Sequence, residues 1–161
     1  MIKPKKQISP EKAKVRLEEL CARSEQCTGD AYKKLQTWGI ARSDAETIVK
    51  SLVDRRFIDD ERFCHAFVRD KMRFARWGRR KIKAALMMKR LDSAIAAKAL
   101  EAVDEDEYIE SLQTIIRLKS ASMPDAETYE GRTRLFRFAA SRGFEPDLIS
   151  RILRERSRQE D

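Results

Sequence analysis

Apolar residues recur along this chain at intervals of three and four, interrupted by short polar turns, and the spacing predicts helices throughout. Ser9-Pro10 has the form of an N-cap followed by proline at the first helical position, where a missing N–H is no loss. Ala13, Leu17, Leu20 and Cys21 then share one face. Ala31, Leu35 and Trp38 form a second stripe that runs into Gly39, a residue able to take the left-handed conformation that stops a helix. Ser43-Asp44-Ala45-Glu46 reads as a capping box ahead of Ile48, Val49, Leu52 and Val53.

The pattern then restarts. Asp59 and Asp60 are placed to cap a longer helix bearing Phe63, Phe67, Val68 and Phe74. Ile82, Ala85 and Leu86 mark a fifth helix, and Ile95, Ala99, Leu100 and Val103 a sixth after Asp92-Ser93. A third cycle carries Ile109, Leu112, Ile115 and Ile116, then Leu135, Phe138 and Ala139 ending at Gly143, then Leu148, Ile149, Ile152 and Leu153 after Glu145-Pro146. The turns between the second and third helices of each cycle line up as Gly39-Ile40, Arg90-Leu91 and Gly143-Phe144, spaced by 51 and 53 residues. A near-constant period with one helix order predicts an all-α chain of three tandem three-helix repeats, at 9–57, 58–103 and 104–161, in an elongated, curved array. Residues 1–8 are basic and unpatterned and read as a flexible tail.

Composition narrows the picture. Five glycines, four prolines and 39% charged residues argue against a turn-rich β fold. The formal charge of +8 is concentrated: from Arg69 to Arg90 ten basic residues face one acid, Asp70, while the rest of the chain sums to −1. No apolar run approaches the ~18–20 residues needed to cross a bilayer, and there is no apolar segment of a signal peptide. Three cysteines without CxxC spacing fit a reducing compartment, so a cytoplasmic location is expected, and the chain is expected to be a monomer.

Catalytic chemistry has little to work with. His65 is the single histidine, and on a helix its side chain diverges by about 100° from that of Cys64, which does not favour a thiolate–imidazolium pair. Asp59, Asp60 and Glu61 suit a helix start, where acids meet unsatisfied amides. No glycine-rich phosphate loop offers a nucleotide a seat, and nothing calls for a cofactor or metal. The chain reads as a binding protein rather than an enzyme.

The basic segment is the candidate contact surface, with Arg69, Arg73, Arg76, Trp77, Arg79, Arg80, Lys81 and Lys83 as its contact residues. Against this stands the plainer reading of a solvated helix face. Trp77 has three readings: stacking on a base, anchoring in a partner's pocket, or core packing. Trp38, beside the Gly39 helix stop, reads as core or repeat interface.

Phe57-Ile58-Asp59-Asp60-Glu61-Arg62-Phe63, then Phe67-Val68-Arg69, then Gly78 and Lys81-Ile82 with Leu86 and Lys89, resembles the signature of the RecX family. That signature runs aromatic–hydrophobic–Asp-Asp-x-Arg-Phe, Phe-hydrophobic-x-x-Arg or Lys, and Gly-x-x-basic-Ile-x-x-x-Leu-x-x-Lys-Gly-hydrophobic. The first repeat fits through Leu35 and Gly39-Ile40, and the last through Arg134, Phe138 and Arg142-Gly143-Phe144. The resemblance implies a regulatory protein that binds the RecA filament on single-stranded DNA and inhibits its ATP hydrolysis and strand exchange. It also implies that Asp59, Asp60, Arg62 and Phe63 hold the repeat together. Arg90 stands where the pattern has glycine, which leaves the left-handed residue of that turn open. Without the resemblance, the basic helix would suggest a helix-turn-helix regulator contacting duplex DNA.

Folding is expected to need no metal. Purified protein should contain none in stoichiometric amount and should keep its helical circular dichroism through chelation; loss of helix restored by zinc would reopen Cys21, Cys27 and His65 as ligands.

Overall fold

The computed structural model describes residues 7–159, all of whose regular elements are helices. They are α1 (Pro10–Arg23), α2 (Thr28–Thr37), α3 (Arg42–Asp54), α4 (Asp60–Arg73), α5 (Arg79–Met88), α6 (Ser93–Glu101), α7 (Glu105–Ala121), α8 (Tyr129–Ser141) and α9 (Pro146–Gln159). None of the described helices is long and apolar enough to cross a membrane.

The local signals act largely as their chemistry dictates. Ser9 accepts the Lys12 amide at 3.2 Å, with Pro10 opening α1. Asp92 accepts from the amides of Ala94 and Ile95 ahead of α6, Asp104 from Glu107 ahead of α7, and Thr128 from Gly131 ahead of α8. The three aligned turns share one device. Gly39, Arg90 and Gly143 all have positive φ, at 77°, 57° and 96°, and the next residue of each turn, Ile40, Leu91 or Phe144, is buried. Arg90 therefore takes the left-handed conformation itself, a strain of about 1–2 kcal/mol for a residue with a Cβ.

Four sequence expectations are corrected. The capping box at Ser43 does not form, because α3 already starts at Arg42 after Ala41 and Glu46 pairs with Arg42 instead. Only Asp59 caps α4, through the Arg62 amide. Phe74 is 81% exposed rather than part of the buried stripe, since α4 ends at Arg73 before the face it shares with Phe67 is covered. Of the proposed tail, residues 1–6 lie outside the described residues, while Ile8 donates its amide to the Trp38 carbonyl at 3.3 Å and packs on the first core.

The chain packs as two compact units. Of the described residues, one unit holds 7–66 together with 86–96 and the other 67–85 together with 97–159, so the division falls inside α4, α5 and α6. The core of the first unit gathers Ala13, Leu17, Ala31, Leu35, Ile48, Leu52 and Ile58, with Trp38 and Phe57 against its edge. Trp38, read from the sequence as core or repeat interface, packs against this core. In the second unit the largest fully buried side chains are Tyr108, Phe144, Ile82, Leu112, Ile116, Leu135 and Ile149. Tyr108 was absent from the apolar stripe read for α7, and its hydroxyl is the reason it matters below.

In the second unit, backbone meets backbone at Gly78 and Gly143. A Cβ on Gly78 would lie 2.3 Å from the Gly143 carbonyl carbon and the Phe144 nitrogen, a collision with atoms that cannot swing aside. Gly39 differs: its φ is positive, but a Cβ there would meet the flexible side chain of Gln7. Gly78→Ala is therefore expected to destabilise by about 2–3 kcal/mol and Gly39→Ala by about 1 kcal/mol, read from urea midpoints. Equal losses would contradict the backbone-contact explanation.

Candidate functional site

The segment of sequence-predicted contact residues, Arg69 to Lys83, lies in the second unit, on the last turns of α4, the link 74–78 and the first turns of α5. Its geometry starts from Gly78. The Gly78 amide donates to the Arg142 carbonyl at 2.7 Å and the Arg80 amide to the Gly143 carbonyl at 3.0 Å, so the start of α5 is pinned to the turn before α9. Between them, the Arg79 amide donates to the Tyr108 hydroxyl at 3.0 Å. That hydroxyl in turn donates to Glu145. Burial, reinforced by the Glu145 hydrogen bond, pushes the Tyr108 pKa well above its ordinary value, so the phenol stays protonated.

This arrangement sorts the eight residues. Arg79 is held: its guanidinium lies 3.9 Å over the Tyr108 ring and pairs with Glu105 at 2.6 Å and Glu145 at 3.4 Å, leaving the side chain 24% exposed. Burial alone would lower its pKa, but the hydrogen bond and charge of Glu105 outweigh it. Arg73 makes two hydrogen bonds to Glu107, at 2.6 and 3.4 Å, in the fork geometry an arginine offers a carboxylate. Trp77 is half-buried, with the Lys71 and Lys81 ammonium groups 4.7 and 4.6 Å from its ring centroid. The Lys81 stem is fixed as well, since its Cβ lies where a side chain on Gly143 would have to go.

Four cations remain. Arg69, Arg80 and Lys83 are exposed, Arg76 is half-buried with φ of 53°, and none of them has an ion-pair partner among the described residues. Arg80 and Lys83 are three apart on α5 and so share a face. Phe74, which sequence reasoning assigned to the core, stands exposed between Arg73 and Arg76. The available signal was its position at the very end of the α4 pattern, next to a link containing Gly78.

The signature residues at the start of α4 do different work, inside the first unit. The Asp60 carboxylate accepts the amide and hydroxyl of Thr28 at 2.9 and 2.7 Å, capping α2 from a distance. Arg62 binds Glu25 at 2.6 Å and the carbonyls of Arg56 and Phe57 at 3.2 and 3.3 Å. Lys89 pairs with Asp30 at 2.7 Å and lies 5.7 Å over the Phe63 ring. These contacts tie α2 to the ends of α4 and α5.

Cys64 is buried and His65 exposed, so the two side chains do diverge. Burial pushes the Cys27 and Cys64 thiols up to about 11, the reverse of what an activated nucleophile requires.

Comparison with known proteins agrees with this architecture. Sequence models of the RecX second three-helix domain and the RecX third three-helix domain match residues 59–100 and 105–153. Regulatory protein RecX of Clostridium tetani is 32% identical over 117 residues, covering 70% of this chain and 52% of its own length. Its counterpart in Clostridium botulinum is 29% identical over 117 residues, covering 70% and 54%. This chain thus spans about half the length of these relatives. The crystal structure of RecX from Lactobacillus salivarius superposes with a TM-score of 0.79 at 22% identity, covering 91% of this chain and 95% of that one, which shows the shared fold. With two of its three helical repeats matched by RecX domain models and its fold shared with a RecX crystal structure, this chain belongs to the RecX family.

Proposed function

We propose that this chain is a non-enzymatic regulator that binds the RecA nucleoprotein filament and inhibits its ATP hydrolysis and strand exchange. The reading rests on RecX family membership, and the observation that carries it to a surface is the set of unpaired cations Arg69, Arg76, Arg80 and Lys83. The segment Arg69 to Arg90 carries ten cations against one acid, and a polyanionic filament would relieve the repulsion of such a dense charge on binding. Arg73, Arg79 and Lys81, included in the sequence-based contact set, serve here mainly to shape the surface, because each is already engaged within the fold.

The helix-turn-helix alternative fits less well. A recognition helix offers its N-terminal residues to the base edges of the major groove. The first turn of α5 instead has its amides bound to Tyr108 and Gly143 and its Arg79 side chain enclosed.

Replacing Arg69, Arg80 and Lys83 together by glutamate should leave the circular dichroism unchanged and raise the concentration needed to inhibit RecA-driven ATP hydrolysis by at least about tenfold. If the three touch phosphates of single-stranded DNA, the slope of log affinity against log salt should fall by about 2. Arg79→Glu alone should lower the melting temperature, because it sets like charges among Glu105 and Glu145. A folded triple variant that inhibits like the wild type would show that these cations form a solvated face.

A further inference from the structure

The aromatic residue that first suggests a stacking role is Trp77, and the structure argues against giving it one. Both lysines beside it lie within 5 Å of its ring centroid, and the ring is half-buried. A base could stack there only by displacing an ammonium group from an attractive position over the indole quadrupole. Trp77 is better suited to hold Lys71 and Lys81 in place despite their like charge.

Phe74 has the opposite character. It is 81% exposed, the only phenylalanine among the exposed large apolar side chains of the described residues, and no cation or ring lies against it. It is held firmly at its root, with its amide donating to the Asp70 carbonyl at 2.9 Å, while the chain beyond turns through the left-handed Arg76. The ring therefore stands on the end of a helix rather than on a long loop. A single exposed apolar residue is unremarkable by itself. This one lies in the most basic segment of the chain, five residues after Arg69 and six before Arg80, both unpaired.

An open aromatic side chain in a segment rich in unpaired cations has the composition with which proteins grip single-stranded nucleic acid: the cations follow the phosphates, and the ring takes an unpaired base without regard to its identity. Protein interfaces bury their aromatic anchors in desolvated pockets and are depleted in lysine, whereas this segment carries an open lysine, Lys83, beside its open arginines in sequence. We propose that Phe74 stacks on an unpaired nucleobase of single-stranded nucleic acid, with Arg80 and Lys83 placed toward the phosphates. Asp70, the single acid of the segment, lies one turn before Phe74 on α4, whereas the first turn of α5 has no acid. The proposal extends the reading that this segment faces a nucleoprotein filament, and names the chemical group on that filament which the ring would meet.

The test uses the full chain and two single-stranded oligonucleotides of equal length, one with all its bases and one with abasic sites at alternate positions. Binding is followed by fluorescence anisotropy across a salt series. The wild type should prefer the complete strand by about fivefold or more, the size of one base–aromatic contact. Phe74→Ala should abolish that preference with an unchanged salt slope, and Phe74→Trp should keep it, with added emission that is quenched by the complete strand and not by the abasic one. Arg80→Gln with Lys83→Gln should weaken both strands alike and flatten the salt dependence. Because Phe74 is exposed, the Ala variant should melt like the wild type.

Equal binding of the two strands by the wild type, or a preference that survives Phe74→Ala, overturns the proposal. So does a Phe74→Ala variant that binds DNA normally but no longer inhibits RecA filaments, which would place the ring in a pocket of the protein. A wild type that discriminates between the strands through Phe74 yet leaves RecA-driven ATP hydrolysis untouched would instead overturn the proposed function and leave the nucleobase contact standing.

Discussion

The basic surface depends on one close approach, that of Gly78 to Gly143. Neither residue has a Cβ, and any atom added at Gly78 would fall within 2.4 Å of the Gly143 carbonyl oxygen. The open space that the missing Cβ leaves lets the first amides of α5 reach the carbonyls of Arg142 and Gly143 and the Tyr108 hydroxyl. The rotation of α5 about its axis is then fixed, and with it the direction of every side chain in its first turn. Residues 79 and 80 diverge by about 100° on a helix, so a rotation that encloses Arg79 turns Arg80 outward, and Lys83 follows Arg80. The sorting of cations into held and free follows from backbone geometry more than from the cations themselves.

Electrostatics explains why the held ones need their partners. Arg79, Arg80 and Lys81 occupy the first turn of α5, which has no acid of its own, and cations there oppose the helix dipole. Glu105 and Glu145 answer Arg79, and the Trp77 ring answers Lys81. Arg80 has no such answer among the described residues. The fold therefore relieves the charge it encloses and leaves repulsion only at the surface, where solvent, salt or an anionic partner can reduce it.

Periodicity made the helices legible because an amphipathic stripe is a local property, and the three turns were legible as a repeated residue–hydrophobic pair at near-constant spacing, with the left-handed residue evident only at the two glycines. Ile40, Leu91 and Phe144 are all buried as that pattern requires, even where Arg90 replaces glycine. What the sequence could not display was partnership at long range. Asp60 reaches Thr28 rather than its own helix, and Tyr108 is enclosed through a hydroxyl that no apolar stripe anticipates. Nothing local distinguishes Arg79 from Arg80. The position of Phe74 was misread for a related reason: its spacing from Phe67 suits a buried face, but burial requires a neighbour, and none covers the ring.

The same distinction governs what the family signature encodes. Asp60, Arg62 and Lys89 are joined to Thr28, Glu25 and Asp30. Gly78 makes the close backbone contact, and Ile82 and Leu86 are buried. The basic position four residues after Phe67 is Lys71, which with Lys81 flanks Trp77. Each of these residues builds or steadies the scaffold. Phe74, Arg76, Arg80 and Lys83 fall between signature positions, where the fold demands little of the side chain. A match to the signature thus identifies the scaffold and the orientation of α5, whereas the residues it leaves open include the exposed Phe74, Arg80 and Lys83. Substitutions at those open positions can alter surface charge and ring content while the contacts that define the fold stay as they are.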